Sequence, residues 1–550
     1  MSKRKRIILL VLVVFLLLGV TLAVASIVRY IQQPPPQVIG SDTGDHEMFH
    51  GVEVAAKQIL FKLDHCPSVD AQSLAAQMTK FAKELTNDDS MVVNQIGNGC
   101  LFLARSSRLT VPQLLTAFNS SAKVKQHLAS LNLTSNLAYA EPNFVIRVKP
   151  NKGDGPVGPQ YIKDSSGKSR GQLRRGERTI GLIQRTEPEP NDAYFQSTQQ
   201  WGLKNTPNPG IDIDAVSAWQ RSIGSPSIVV GVIDTGFDYD HPDLMDNVWK
   251  APNDFDVTLG TETIHCSKDS HGYNAIALTP ERACDPTDED DGHGTHVTGI
   301  IGAVGNNEIG VAGVNWQTSL MGLKFIGPFG GLVSDAIKTI EFAIQVQVKF
   351  PTEGNVRVLN ASWGYGGNAR LSDVASDVYS NALRDEIALA NERDVLFVAS
   401  AGEDDGNDND LNPHYPSGYD LPNVVSVTAI DQFGALAEIG GPGGSLSNHG
   451  STTVHLAAPG AVIYSTYPLA FSDNPDPSRV GYFQKSGTSM ATPFVSGAAA
   501  LILSVNGCDQ LHASELKSVI LGGVITTSVL NQISTRGRLN VNKSIALCRN

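Results

Sequence analysis

The chain has 550 residues, 41% of them hydrophobic and 18% charged, with a formal net charge of -13. That length holds one large core and a smaller second domain, in the balance of an ordinary globular protein. The acidic excess argues against nucleic acid as a partner, and the sequence carries no internal repeat, phosphate loop or cofactor fingerprint.

At the start, Lys3-Arg-Lys-Arg6 precedes an apolar run from Ile7 to Val28, a basic flank on a membrane-length segment. Residues 1–30 are therefore assigned to a signal sequence or a single-pass membrane anchor with a short cytoplasmic N-terminus. Ala23-Val-Ala25 fits a signal-peptidase site while the run exceeds a usual signal core, so both options stand, with the anchor slightly preferred. Either way the rest of the chain is expected outside the cytosol, anchored or secreted.

A Pro-rich juxtamembrane linker covers 31–50. Residues 51–150 have their own strand and helix patterns, such as Val52-Glu-Val-Ala and Ser73 to Leu85, enough for a small α/β domain. Residues 151–189 form a linker rich in Gly, Pro, Ser and charge, with the basic cluster Arg174-Arg-Gly-Glu-Arg178. Six cysteines fall two by two in three regions. Pairing between neighbours is expected, Cys66 with Cys100, Cys266 with Cys284 and Cys508 with Cys548, with buried free thiols as the competing picture. Of the glycosylation sequons at Asn119, Asn132, Asn360 and Asn542, Asn360 is expected to stay bare.

Three later segments carry chemistry. Ile228-Val-Val-Gly-Val-Ile-Asp-Thr-Gly236 is an unbroken apolar run that reads as a buried parallel strand with Asp234 at its carboxyl end. Asp291-Gly-His-Gly-Thr-His-Val-Thr-Gly299 leaves room around His293 and continues as a core helix. His293 and His296 have metal-ligand spacing but lack a nearby Glu or Cys partner. Gly487-Thr-Ser-Met-Ala-Thr-Pro493 and the small residues after it place Ser489 at the head of a buried helix, where free N–H groups favour an oxyanion. Alone, each has a plain structural reading, as a turn aspartate, a core histidine or a helix cap.

Together, in the order Asp, His, Ser, they resemble the subtilisin family of serine peptidases over about Trp201 to Ala546. The resemblance implies that Ser489 attacks the scissile carbonyl, His293 takes and returns the proton, and Asp234 orients and stabilises the imidazole. It implies an α/β, three-layer fold for 190–550, with a central, mostly parallel sheet flanked by helices. It makes 51–150, ending near Ala138-Tyr-Ala-Glu-Pro-Asn-Phe-Val-Ile146, a small α/β inhibitory propeptide, released by a cut within 151–189.

The same resemblance makes Gly330, Gly331 and Leu332, and Ser362, Trp363 and Gly364, the two segments flanking an extended substrate, whose backbone they would pair by β-augmentation. Ala399, Ser400, Ala401 and Gly402 become small pocket residues, and His414 its floor. Gly305-Asn-Asn-Glu-Ile-Gly-Val-Ala-Gly313 resembles a calcium loop. Asp243 and Asn307 would give side-chain oxygens, Gly305, Ile309 and Val311 carbonyls, and Gln199 or Gln200 would complete the shell.

One position departs from the family. After Ala401-Gly402 the resemblance expects an asparagine that donates to the oxyanion, and this chain has Glu403. Loss of that donor in subtilisin costs on the order of a hundred- to a thousandfold in turnover. Three readings follow: Glu403 is held protonated within its acidic run and donates, the loop bulges so that Asn407 substitutes, or the site is slow or dead. The first, slightly preferred, predicts a rate that rises as pH falls below neutral until His293 protonates. Acidic residues at 285–291 and after Glu403 would favour basic substrates or further calcium. The expected function is a propeptide-regulated serine endopeptidase acting on peptides or proteins. The alternative is a catalytically dead subtilisin fold that binds peptides or acts as a scaffold.

Overall fold

The computed structural model describes residues 45–97, 99–148, 188–289, 291–366, 379–440, 443–469 and 481–548. The apolar segment 7–28 and the basic cluster at 174–178 lie outside them. Among the described residues no helix is long and apolar enough to cross a membrane.

The N-terminal unit is built from β1 (His46–Phe49), β2 (Val52–Leu63), α1 (Ala71–Thr86), β3 (Val92–Ile96), β4 (Leu101–Arg105), α2 (Val111–Phe118), α3 (Ser121–Ser130) and β5 (Leu137–Ile146). It begins earlier than the expected residue 51, because His46–Phe49 turns back at His50-Gly51 and pairs antiparallel with β2. Helix α1 buries Leu74, Met78, Phe81, Ala82 and Leu85, the three- and four-residue spacing of one helical face. Asp70 caps it by accepting from the Ser73 N–H at 2.9 Å.

The larger part runs through β6 (Gly224–Asp234), the hairpin β7 (Phe255–Leu259) and β8 (Glu262–Cys266), β9 (Gly272–Asn274), α4 (His293–Gly302), β10 (Gln317–Lys324), β11 (Gly331–Leu332), α5 (Val333–Lys349), β12 (Val356–Ala361), α6 (Asn381–Asn391), β13 (Leu396–Ser400), β14 (Val424–Ile430), β15 (Leu456–Pro459), α7 (Thr488–Leu503), β16 (Ile525–Thr526) and β17 (Gly537–Arg538). Nine strands form one sheet in the order β16-β17-β15-β14-β13-β12-β6-β10-β9, parallel except at the β16–β17 edge. Residues 228–234 of β6 are buried throughout, as the continuous apolar run requires of a strand covered on both faces. One core lies on the face carrying α4 and α7, and the other lies under α5, α6 and the N-terminal unit. The result is the expected three-layer α/β architecture.

The disulfides are Cys66–Cys100, Cys266–Cys284 and Cys508–Cys548, as neighbour pairing predicts. Asn360 is fully buried and bonded to Ser362 and Ser496, which leaves no room for a glycan.

Candidate active site

Strand β6 delivers Asp234, fully buried, at its carboxyl end, and α4 begins with His293. The His293 Nδ1 lies 2.7 Å from Asp234 Oδ1, which also accepts from the Thr235 N–H at 2.8 Å. Asp234 Oδ2 is buried without a hydrogen-bond partner. Burial disfavours the imidazolium, but the Asp234 carboxylate more than offsets it and holds the His293 pKa above its ordinary value. Lys485 pulls in the lowering direction and Asp291 in the raising one. The two meet at 3.7 Å.

Helix α4 must start abruptly for this geometry, and its N-cap, Gly292, has a left-handed φ of 77° and no side chain to cap with. A Cβ there would meet the Tyr467 ring at 2.3 Å. The missing cap comes from Asp288, which accepts from the N–H groups of Gly292 at 3.2 Å and Thr295 at 3.3 Å and from Thr295 Oγ1 at 2.9 Å. His296, one turn on, points away: its Nε2 lies 3.0 Å from the carbonyls of Ile463 and Phe483, so the pair of histidines does not converge on a metal.

Ser489 is the second residue of α7. Its hydroxyl donates to the Ser362 carbonyl at 2.9 Å, while Ser362 Oγ donates to the Ser489 carbonyl at 2.8 Å. Ser489 is thus tied to the residue that follows β12 by a reciprocal pair of hydrogen bonds. Ser489 lines a cavity of about 310 Å³ with Gly364, Ser400, Gly402, Glu403 and His414. His414 does form part of its wall: a Cβ on Gly364 would meet the imidazole at 2.1 Å. Ala401, by contrast, does not line the cavity. Strand β13 ends at Ser400, and the turn there returns Ala401 to the core on the α4 and α7 face, while Ala399 packs on the other.

Glu403 occupies the departure point. Its Oε2 accepts from Thr488 Oγ1 at 2.6 Å and from the Thr488 N–H at 3.2 Å. Asn407 does not substitute for the missing amide, since its side chain donates to Asn409 and to the Asn412 carbonyl instead.

Comparison with known proteins decides the kinship. A model of the Subtilase family matches residues 225–538, more than half of the chain. The chain belongs to the subtilase family. It is 32% identical over 337 residues to subtilisin-like protease 2 of Plasmodium falciparum, covering 60% of this chain and 21% of that protein. With an extracellular protease of Xanthomonas campestris it shares 33% over 321 residues, 58% of this chain and 50% of the other. With subtilisin-like protease 1 of Plasmodium berghei the match is 29% over 503 residues, 86% of this chain and 75% of that one. This subtilase therefore spans half or less of the first two relatives' length. Fervidolysin from Fervidobacterium pennivorans has the same fold, with a TM-score of 0.58 at 20% identity over 91% of this chain and 62% of its own.

In the loop 305–313 of this subtilase, Asn307 Nδ2 donates to Asp243 Oδ1 at 2.7 Å and the Val311 N–H to Asp243 Oδ2 at 2.9 Å. Neither glutamine joins them: Gln200 bonds the backbone of Ala312, and Gln199 bonds Ser197. A residue that sequence reasoning passed over sits there instead. Asp192 is fully buried, accepts from the Asn306 N–H at 2.7 Å, and leaves Oδ1 without a partner. Burial pushes Asp192 up to about 6 and Asp243 up to about 7, and the charge of Asp192 adds to the rise at Asp243.

The N-terminal unit lies against β11 and the cavity that Ser489 lines. Strand β5 pairs antiparallel with β11, Ile146 opposite Gly331 and Val145 opposite Leu332. Leu332 is consequently buried with Val145 and Ala55 and does not face the cavity. A Cβ on Gly330 would meet the Ile146 carbonyl at 2.7 Å. Phe144 stacks on Tyr365 at 5.0 Å, Asn143 and Ser334 exchange two hydrogen bonds of 3.0 Å, and Arg147 donates to the Phe329 carbonyl at 2.7 Å. Val145, Arg147 and Val148 line the same cavity as Ser489.

Proposed function

We propose that this subtilase is a serine endopeptidase made as a self-inhibited precursor. The observation that supports it most is the buried 2.7 Å contact between His293 Nδ1 and Asp234, which fixes the imidazole with its other nitrogen available as a base. Ser489 Oγ would turn from Ser362, give its proton to His293 and form an acyl-enzyme. His293 would return the proton to the leaving amine, and water would then release the acyl group. The oxyanion would meet the Ser489 N–H and Glu403 rather than an amide side chain.

Residues 45–148 act in this reading as the inhibitory propeptide, with β5 added to the substrate edge as a peptide would be. Release needs a cut in the connecting 149–187 segment. Glu403 and Asp404 give the cavity beside Ser489 an acidic wall, which favours a basic side chain on the residue whose carbonyl is attacked. Three disulfides suit an oxidising, extracytoplasmic compartment, and the Xanthomonas relative is named as extracellular.

Calcium is proposed as a structural ion. Asp192, Asp243 and Asn307 would hold it with the carbonyls of Gly305, Ile309 and Val311, an all-oxygen set suited to a hard cation. The partnerless Oδ1 of Asp192 and the two buried carboxyls are what a cation would satisfy.

Glu403 motivates a second reading, a dead subtilase that only binds peptides. Fluorophosphonate labelling of the processed protein separates the two. Labelling that disappears in Ser489→Ala supports the peptidase, and an unlabelled, folded protein at acid and alkaline pH leaves the scaffold.

A further inference from the structure

Beneath the N-terminal sheet, α5 and α6 bring together two acids that the proposed chemistry does not use. Glu341 and Glu386 are 3% and 6% exposed. The Glu386 carboxyl is hydrogen-bonded to that of Glu341, whose Oε1 also accepts from Gln345 Nε2 at 2.7 Å. Two carboxyl groups can share a hydrogen bond only if one keeps a proton. Glu386 Oε1 is buried without a partner, and the turn between β3 and β4 closes over the pair: a Cβ on Gly97 would lie 3.9 Å from Glu386 Oε2.

The surrounding groups do not neutralise it. From β2, Lys62 faces the pair but is bonded to Asp385 of α6 at 2.5 Å, and Tyr139 of β5 donates to the same carboxylate at 3.3 Å. On α5, Lys338 lies 3.7 Å from Asp335 and 3.9 Å from Glu262 of the β7–β8 hairpin. Arg105 of β4 is half-buried and attracted by the charge of Asp335, Arg384 of α6 pairs with Asp385 at 3.7 Å, and β3 presents the uncharged Asn94 and Gln95. A third acid, Glu141 of β5, caps α6 across the interface. It accepts from Ser380 Oγ at 2.6 Å, the Asn381 N–H at 2.8 Å and the Ala382 N–H at 3.1 Å.

We propose that docking of the N-terminal unit is proton-gated: Glu386 holds a proton bridged to Glu341 while the unit is seated, and losing it as pH rises frees the groove. This rests on the reading of residues 45–148 as the inhibitory domain and adds how it is released. Burial first, and the charge of Glu341 second, hold Glu386 well above the carboxylate range, and burial pushes Glu141 up to about 7 despite its hydrogen bonds. Undocked and solvated, both would titrate near about 4.3. A carboxyl raised on docking takes up a proton when the unit seats. The docked state is therefore fully favoured below the undocked value and loses that advantage as pH climbs through the docked one, about 7 for Glu141. Each linked proton changes affinity by about tenfold per pH unit within that window.

The test uses the full chain with Ser489→Ala, to prevent self-cleavage, and a site-specific protease sequence inserted between 151 and 186. After that bond is cut, the dissociation constant of the N-terminal fragment is measured from acid to mildly alkaline pH. The expected result is weakening of at least about tenfold as pH rises, with the slope reduced in Glu386→Gln, whose amide can donate to Glu341 without a proton. Glu341→Gln is the mirror variant should the first fold poorly, and adding Glu141→Gln removes the remaining slope. A parent whose affinity does not change with pH, or slopes unchanged in both variants, overturns the gate but leaves the inhibitory domain standing. Fragments that separate at every pH overturn both.

Discussion

Glu403 Oε2 accepts a 2.6 Å hydrogen bond from Thr488 Oγ1 and a longer one from the Thr488 N–H, which puts a carboxyl group at the N-terminus of the helix that carries Ser489. A carboxylate at a helix N-terminus brings negative charge there. The same charge opposes an oxyanion formed beside the next residue. Glu403→Asn should therefore raise kcat, by up to about a hundredfold if the amide reaches the oxyanion, with little change in KM. Steady-state kinetics on a peptide amide across acid to neutral pH check this. An equal kcat at every pH would remove Glu403 from the oxyanion site. A gain confined to neutral pH would mean that Glu403 itself donates as an acid when pH falls.

His293 sets the other limit. The proposed chemistry requires its base form, and the Asp234 carboxylate holds its pKa above the ordinary histidine value, so kcat/KM should fall as pH drops below a midpoint higher than about 6.5. That narrows the acid range that Glu403 was expected to exploit. Lys485 lowers the His293 pKa and Asp291 raises it. Lys485→Met should move the acid limb to higher pH and Asp291→Asn to lower pH. Limbs that do not move, or move the other way, contradict this electrostatic account.

For calcium the prediction joins metal and pH. Asp192 and Asp243 are raised by burial to about 6 and about 7, well above the unfolded aspartate value of about 3.9. Without a cation, the stability they lend is complete below the unfolded value and is lost as pH rises through their folded ones. Calcium removes that loss by favouring the charged forms. The gap in Tm between calcium-loaded and chelated protein should thus widen from acid to neutral pH, and Asp192→Asn should shrink it. A gap independent of pH argues against these two carboxylates as ligands.

How far the sequence could be read depended on whether a feature was local. The run 228–233 had to be a buried strand because no polar residue interrupts it before Asp234, and the small residues after Ser489 had to pack as a core helix. Asp192 was invisible for the opposite reason. Nothing in Pro190-Asn-Asp192 says that this segment folds back on residues 306–310, more than a hundred positions away. Ala401 was placed in the pocket by the family resemblance, but the strand ends one residue earlier and Ala401 turns into the core. Glu386 drew no notice, since a lone Glu in an amphipathic helix reads as a solvated charge until a second domain is seen to cover it.

The cap on α4 gives the last prediction. Gly292 is needed for the turn but cannot cap, and Asp288 supplies the acceptor from four residues upstream. Burial pushes Asp288 up to about 6, and the Lys324 charge acts against that rise. Lys324 itself donates to the carbonyls of Thr235 at 2.9 Å and Thr287 at 3.1 Å, and Thr235 Oγ1 accepts from the Gly294 N–H at 2.9 Å. The start of the histidine helix is thereby tied to the end of the aspartate strand. Asp288→Ala should cost about 1 kcal/mol or more of stability. It should also lower kcat without raising KM, because it loosens His293 against Asp234 and leaves the substrate groove alone. Asp288→Asn keeps an acceptor oxygen in place and should restore most of the rate. If the asparagine variant is as slow as the alanine one, the charge of Asp288 matters more than its capping, and the matching test is whether Lys324→Met is equally slow.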